Sequence, residues 1–162
     1  MNEIRISANG DAFTVNGQLW TAAPLVEQLC HALGSNELTD GDPVIVGGKT
    51  IAKFRYFDDL GVAVLQSILD AKLWRITIYM ETSPRNRPSP YGNTGQRPPK
   101  KVFRGQLEIN GKQLRSPLRF AQFPLKGEFE FINHKASGAN VQAFVAEDSG
   151  ITEYVSFEFN RE

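Results

Sequence analysis

The chain has 162 residues and balances 18 basic against 18 acidic side chains. That length suits one domain or two small fused halves, and the balance excludes a global field that would recruit nucleic acid or anionic membrane. A single cysteine, Cys30, excludes an internal disulfide and fits a reducing compartment.

The N-terminus, Met1-Asn2-Glu3-Ile4-Arg5-Ile6, carries no basic region followed by an apolar run. No apolar stretch reaches the roughly 18 residues that span a bilayer. The sequence therefore predicts a soluble, cytoplasmic protein.

Ile4 and Ile6 alternate with Arg5 and Ser7, which predicts a half-buried strand. Phe13-Thr14-Val15 runs into Asn16-Gly17, the strongest short hairpin signal, and Gln18-Leu19-Trp20 returns. Pro24 suits the first turn of a helix over 24–33. Leu25, Val26, Leu29, Cys30 and Leu33 form its apolar face, and Gly34 is placed as its C-cap. Leu38 to Pro43 reads as polar and turn-rich. Val44-Ile45-Val46 reads as a short buried strand before Gly47-Gly48. Ile51 to Phe57 follows as a strand and turns at Asp58-Asp59-Leu60-Gly61. Residues 62–69 fit both a strand and a helical stripe, with strand the favoured reading. Leu73 to Met80 is a clearer strand, with Trp74, Ile76, Ile78 and Met80 on one face.

Thr82 to Lys101 breaks this pattern. It holds five of the nine prolines, five basic residues and no acidic one. Such a segment cannot bury enough apolar surface to offset its ordering entropy, so it reads as a long loop or linker. Beyond it, Val102 to Ile109 predicts a strand turning at Asn110-Gly111. Leu118-Arg119-Phe120 and Phe123 predict a crossing segment. Glu128-Phe129-Glu130-Phe131 alternates strictly. Val141 to Ala146 and Tyr154 to Phe159 predict a last hairpin around Asp148-Ser149-Gly150. The fold class is α+β: mainly antiparallel sheet with one amphipathic helix. An Asn-Gly turn followed by an acidic-Xaa-Gly turn occurs twice, which allows two degenerate halves, 1–81 and 102–162, joined by 82–101 in one compact domain.

No catalytic constellation emerges. Asp58 and Asp59 are the most site-like acids, but no further ligands at usable spacing accompany them. As turn formers at a hairpin tip they are already accounted for. Cys30 and His31 adjoin in sequence, yet neighbours on a helix point about 100° apart. Cys30 lies on the apolar face, where a small buried hydrophobe is the simpler role. His134 sits in a loop-like stretch. There is no nucleophile elbow, phosphate loop or paired-cysteine motif. The expectation is a non-enzyme without a metal or other cofactor. The basic run Arg85, Arg87, Arg97, Lys100, Lys101, with Arg104 beyond, could hold phosphate, and Tyr91 could stack on a base. A solvated linker explains the same composition.

Phe13-Thr14-Val15-Asn16-Gly17, the helix ending Leu33-Gly34, Tyr56-Phe57-Asp58-Asp59-Leu60-Gly61-Val62, Trp74-Arg75-Ile76-Thr77-Ile78 and Phe103-Arg104-Gly105-Gln106-Leu107 follow in an order that resembles small bacterial immunity proteins. Those proteins neutralise toxins delivered by contact-dependent systems such as type VI secretion. The resemblance implies a cytoplasmic protein that binds one cognate toxin. Its contact groups would be Arg85, Arg87, Tyr91 and Arg97, with Asp58 and Asp59 second. The alternative from another class is a polyanion- or nucleic-acid-binding module that uses the basic 84–104 segment.

Overall fold

The computed structural model describes residues 3–9, 12–20, 22–80, 99–109, 111–114, 131–135, 142–148 and 151–159. Their strands form two sheets. The smaller contains β1 (Arg5–Asn9), β2 (Ala12–Val15), β3 (Gln18–Trp20), β8 (Gln106–Ile109) and β9 (Lys112–Leu114), in the order β3-β2-β1-β8-β9. The larger contains β4 (Thr39–Val46), β5 (Lys49–Phe57), β6 (Val62–Ser67), β7 (Leu73–Tyr79), β10 (Phe131–Lys135), β11 (Gln142–Asp148) and β12 (Ile151–Glu158). Its order is β10-β11-β12-β7-β6-β5-β4, antiparallel throughout. Among the described residues there is one helix, α1 (Val26–Leu33). The fold is α+β.

Both sheets draw strands from either side of residues 82–101. β1 pairs antiparallel with β2 and parallel with β8. The two Asn-Gly hairpins therefore flank one strand and run in opposite directions. In the larger sheet β12 pairs with β7, and a buried hydrogen bond of 2.7 Å joins Thr77 Oγ1 and Ser156 Oγ at the centre of that pair.

Alternation decides what each sheet buries. Ile6, Ala8, Phe13, Val15, Leu107, Ile109 and Leu114 point inward from the smaller sheet. Phe57, Val62, Val64, Ile76, Ile78, Val155 and Phe157 meet them from the larger. Val26, Leu29, Cys30 and Leu33 of α1 belong to the same core. Phe13 links the two sheets directly: its ring centroid lies 5.2 Å from that of Phe157 and 5.3 Å from that of Phe159. Full burial of each such ring contributes about 2–3 kcal/mol. The Trp20 indole is buried too, and its N–H makes no hydrogen bond among the described residues. A second cluster, including Phe54, Tyr56, Leu65 and Tyr79, occupies the opposite face of the larger sheet.

Several elements differ from the sequence reading, each for a physical reason. The helix starts at Val26, with Leu25 as its N-cap. Pro24 lies before it, because its carbonyl accepts the Leu73 N–H at 2.8 Å and Leu25 bridges Lys72. Val44–Val46 is not buried. It ends an eight-residue edge strand that also absorbs the turn-like residues 39–43. Arg55 and Lys53 hold Asp40 there at 2.8 and 3.8 Å. The Arg55 Nε–H is not aligned with that oxygen, so the contact is ionic. Residues 62–67 are strand, in line with the favoured reading of 62–69. A register shift between Leu65 and Gln66 puts Leu73 into the main core and leaves Trp74 on the second cluster with Tyr79. The strand expected from Val102 begins only at Gln106. The expected crossing segment 118–123 and the alternation 128–130 lie outside the described residues.

Gly61 and Gly17 both sit in turns at positive φ, 73° and 81°. They differ in their surroundings. A Cβ on Gly61 would overlap Phe103 N and Val102 C, whereas one on Gly17 would meet nothing within 4 Å. Gly17→Ala should cost about 1 kcal/mol, from backbone strain alone. Gly61→Ala should cost at least about 3 kcal/mol, because backbone must move. Urea denaturation of both variants checks the difference.

Candidate binding site

The outer face of the smaller sheet is polar because the inward positions took the apolar residues. The ladders align these outward groups. Ser7 stands opposite Thr14 on one side and Glu108 on the other. Thr14 in turn faces Leu19, and Glu108 faces Gln113. A single row, Leu19-Thr14-Ser7-Glu108-Gln113, thus crosses all five strands. A second, shorter row pairs Arg5 with Gln106. Apart from Leu19, these residues floor an open groove of about 770 Å³.

The groove is held by hydrogen bonds within its own walls. Ser7 Oγ and Thr14 Oγ1 share one at 2.7 Å. Gln106 Nε2 donates to Glu3 Oε2 at 2.8 Å. Asn16 closes one end. It adopts φ 49°, accepts the Arg5 N–H on Oδ1 at 2.7 Å and donates its own N–H to the Arg5 carbonyl at 2.7 Å. Its Nδ2 also donates to the Ala32 carbonyl at 2.7 Å, which ties the hairpin to the end of α1. The Arg5 guanidinium makes no ion pair among the described residues. It is the exposed cation of the groove.

Of the groups singled out by sequence, Arg85, Arg87, Tyr91 and Arg97 lie outside the described residues. Asp58 and Asp59 sit at the β5–β6 turn and have different tasks. Asp58 is buried. Its Oδ1 accepts the Lys100 N–H at 3.1 Å and its carbonyl accepts the Lys101 N–H at 3.0 Å. Asp59 is exposed, with Oδ1 at 3.3 Å from Lys101 Nζ. The pair receives the chain as it returns from the basic segment. Two residues on, the Phe103 N–H donates to the Tyr79 carbonyl at 2.8 Å. The chain therefore comes back to the strand it left.

Cys30 is buried, and burial pushes its thiol up, against the pull of the Arg55 charge. That disfavours the thiolate a nucleophile needs. His31 is exposed on the last turn of α1, and the side chain of His134, on β10, lies outside the described residues. Among the described residues no group of three or more His, Cys, Asp or Glu side chains is placed to hold a metal ion. No helix among them is long and apolar enough to cross a membrane.

A family model described as "Domain of unknown function (DUF7738)" matches residues 4–122. The chain belongs to this family. No curated protein and no solved structure matches it. The DUF7738 match takes in β1 to β9 and α1, and with them every groove residue named above except Glu3. Strand β12, the partner of β7, lies beyond the match.

The sequence reading missed the groove. Its outward residues were legible one strand at a time, but β1 and β8 lie a hundred positions apart, and nothing local pairs Ser7 with Glu108.

The two aspartates should separate on mutation. Asp58→Ala leaves the Lys100 N–H without its acceptor in a part-buried site and should lower stability by about 1–3 kcal/mol. Asp59→Ala removes only an exposed ion pair and should leave the thermal midpoint unchanged. Differential scanning fluorimetry of both variants reads this directly.

Proposed function

We propose that the chain is a non-enzymatic immunity protein that binds and neutralises a cognate bacterial toxin in the cytoplasm of the cell that makes it. One observation carries the binding part of this reading: a row of polar side chains, Thr14, Ser7, Glu108 and Gln113, crosses four hydrogen-bonded strands whose other face is part of the core. Such a surface pays little ordering entropy on association, since the ladder already fixes the backbone of its donors and acceptors. Arg5 offers a planar guanidinium to a partner carboxylate. Ser7, Thr14 and Gln113 offer neutral hydrogen bonds around it. The toxin as partner comes from the resemblance of the turn and strand motifs, with Tyr56 to Val62 the longest of them.

The test is co-expression with the toxin-like product of the neighbouring gene, followed by surface plasmon resonance on the purified pair. A complex and relief of toxicity are expected. Arg5→Glu combined with Ser7→Arg should weaken binding at least about tenfold with unchanged far-UV circular dichroism. Binding that survives this change but disappears on deletion of 84–98 would move the contact to the basic segment. No complex and no protection would end the toxin reading.

A further inference from the structure

Among the described residues the groove carries three charged side chains, Glu3, Arg5 and Glu108. Their order follows from the backbone. Glu3 lies two residues before Arg5. In the parallel ladder Arg5 is level with Gln106 and Ser7 with Glu108, so Glu108 lies two residues beyond Arg5 along the strands. Two residues of extended chain advance about 7 Å, so the groove reads acid, base, acid at that interval along the strand axis. The guanidinium is not neutralised by either carboxylate, for Arg5 makes no ion pair among the described residues. Gln106, level with Arg5, holds Glu3 instead: its Nε2 donates to Glu3 Oε2 at 2.8 Å. In water an exposed ion pair gains little by closing, so this separation barely destabilises the free chain. A partner that covers the groove removes the water. Each charge then interacts far more strongly, and one left unmatched destabilises the complex.

That condition selects the occupant. A polyanion or an anionic lipid surface would meet two carboxylates for one guanidinium. A polycation would meet Arg5. A neutral glycan would leave all three charges unmatched. A zwitterion the size of one amino acid spans one pair of charges only. A polypeptide carries both signs, and its same-face side chains in extended form also stand about 7 Å apart. This chain holds no match of its own: nowhere in it does an acidic residue have a basic one two positions away on both sides. An extended segment of a second copy therefore lacks the complementary order.

We propose that the groove recognises an extended segment of another protein that carries a basic, an acidic and a basic residue at alternate positions. The acid meets Arg5 and the two bases meet Glu3 and Glu108. This rests on the groove as the binding surface, and not on the partner being a toxin. The probes are three end-capped peptides: Thr-Lys-Thr-Glu-Thr-Lys-Thr, its charge-reversed form Thr-Glu-Thr-Lys-Thr-Glu-Thr, and the reordered Thr-Lys-Thr-Lys-Thr-Glu-Thr. Each is titrated into the isotope-labelled full chain and followed by NMR. The first should bind at least about tenfold more tightly than either other, with shifts at the Arg5 and Gln106 signals. Glu3→Lys, Arg5→Glu and Glu108→Lys together should reverse the preference between the first two, with circular dichroism reporting the fold. Arg5→Glu alone, which breaks no ion pair among the described residues, should abolish the preference. Equal binding of the three peptides, binding of none, or shifts confined to 84–98 overturns the proposal. So does a heparin oligosaccharide that binds at Arg5 more tightly than the first peptide. A toxin complex indifferent to both Glu3→Lys and Glu108→Lys ends this proposal and leaves the toxin reading standing. Peptide selection without any toxin complex does the reverse.

Discussion

Both sheets depend on the short segment from Pro99 to Gln106. Its first residues hydrogen-bond to Asp58, its middle to the Tyr79 carbonyl, and its last to the Ile4 carbonyl, where Gln106 N–H donates at 2.8 Å. It therefore fastens the central strands of the larger sheet and then delivers the chain into the smaller one. Each bond is worth only about 0.5–1.5 kcal/mol net. Their position matters more than their sum, because they set where β8 begins and so which strand lies beside β1. Gly61 and Gly105 make this passage possible. A Cβ on Gly61 would overlap the Phe103 backbone, and one on Gly105 would overlap the Ile4 carbonyl.

That delivery places β8 parallel to β1, and a parallel neighbour can only be reached by a long connection. Here the connection takes in the whole larger-sheet meander from β4 to β7 and the basic segment. The polar groove exists because of it. Ser7 and Thr14 come from the opening hairpin, Glu108 and Gln113 from the one a hundred residues later, and the row is complete only when the two are side by side. The core explains why the groove faces outward. Phe13 and Leu107 on the other face are fixed between the sheets, and a one-residue slip would exchange every inward group for an outward one.

Much of this fold was legible residue by residue. Asn16-Gly17 forms its hairpin because both residues tolerate positive φ, and Gly111 adopts positive φ between β8 and β9. The helix was legible from Leu29, Cys30 and Leu33 on one face, and Gly34 ends it, with its N–H donating to the His31 carbonyl. Strand β4 was not legible from Thr39 to Pro43. Gly, Pro and two Asp are depleted in strands, and these are held in one by partners on β5, among them Arg55. Trp74 was misplaced because a bulge shifts the parity of a strand without any local mark in its composition. Asp58 looked like a tip residue and is one, yet its burial and its hold on Lys100 follow from a segment forty residues away.

The sequence by itself determined the local grammar: where the chain turns, which residues of a strand share a face, and where one amphipathic helix lies. Those properties depend on a few neighbouring dihedral angles and on which side chains avoid water. The tertiary structure alone decided which strands are neighbours, and with that the groove. Ladder hydrogen bonds join backbone to backbone and are nearly blind to side-chain identity. The choice of partners is therefore made by the packing of the whole core and by the few close approaches, such as Gly61 on Phe103, that one arrangement permits.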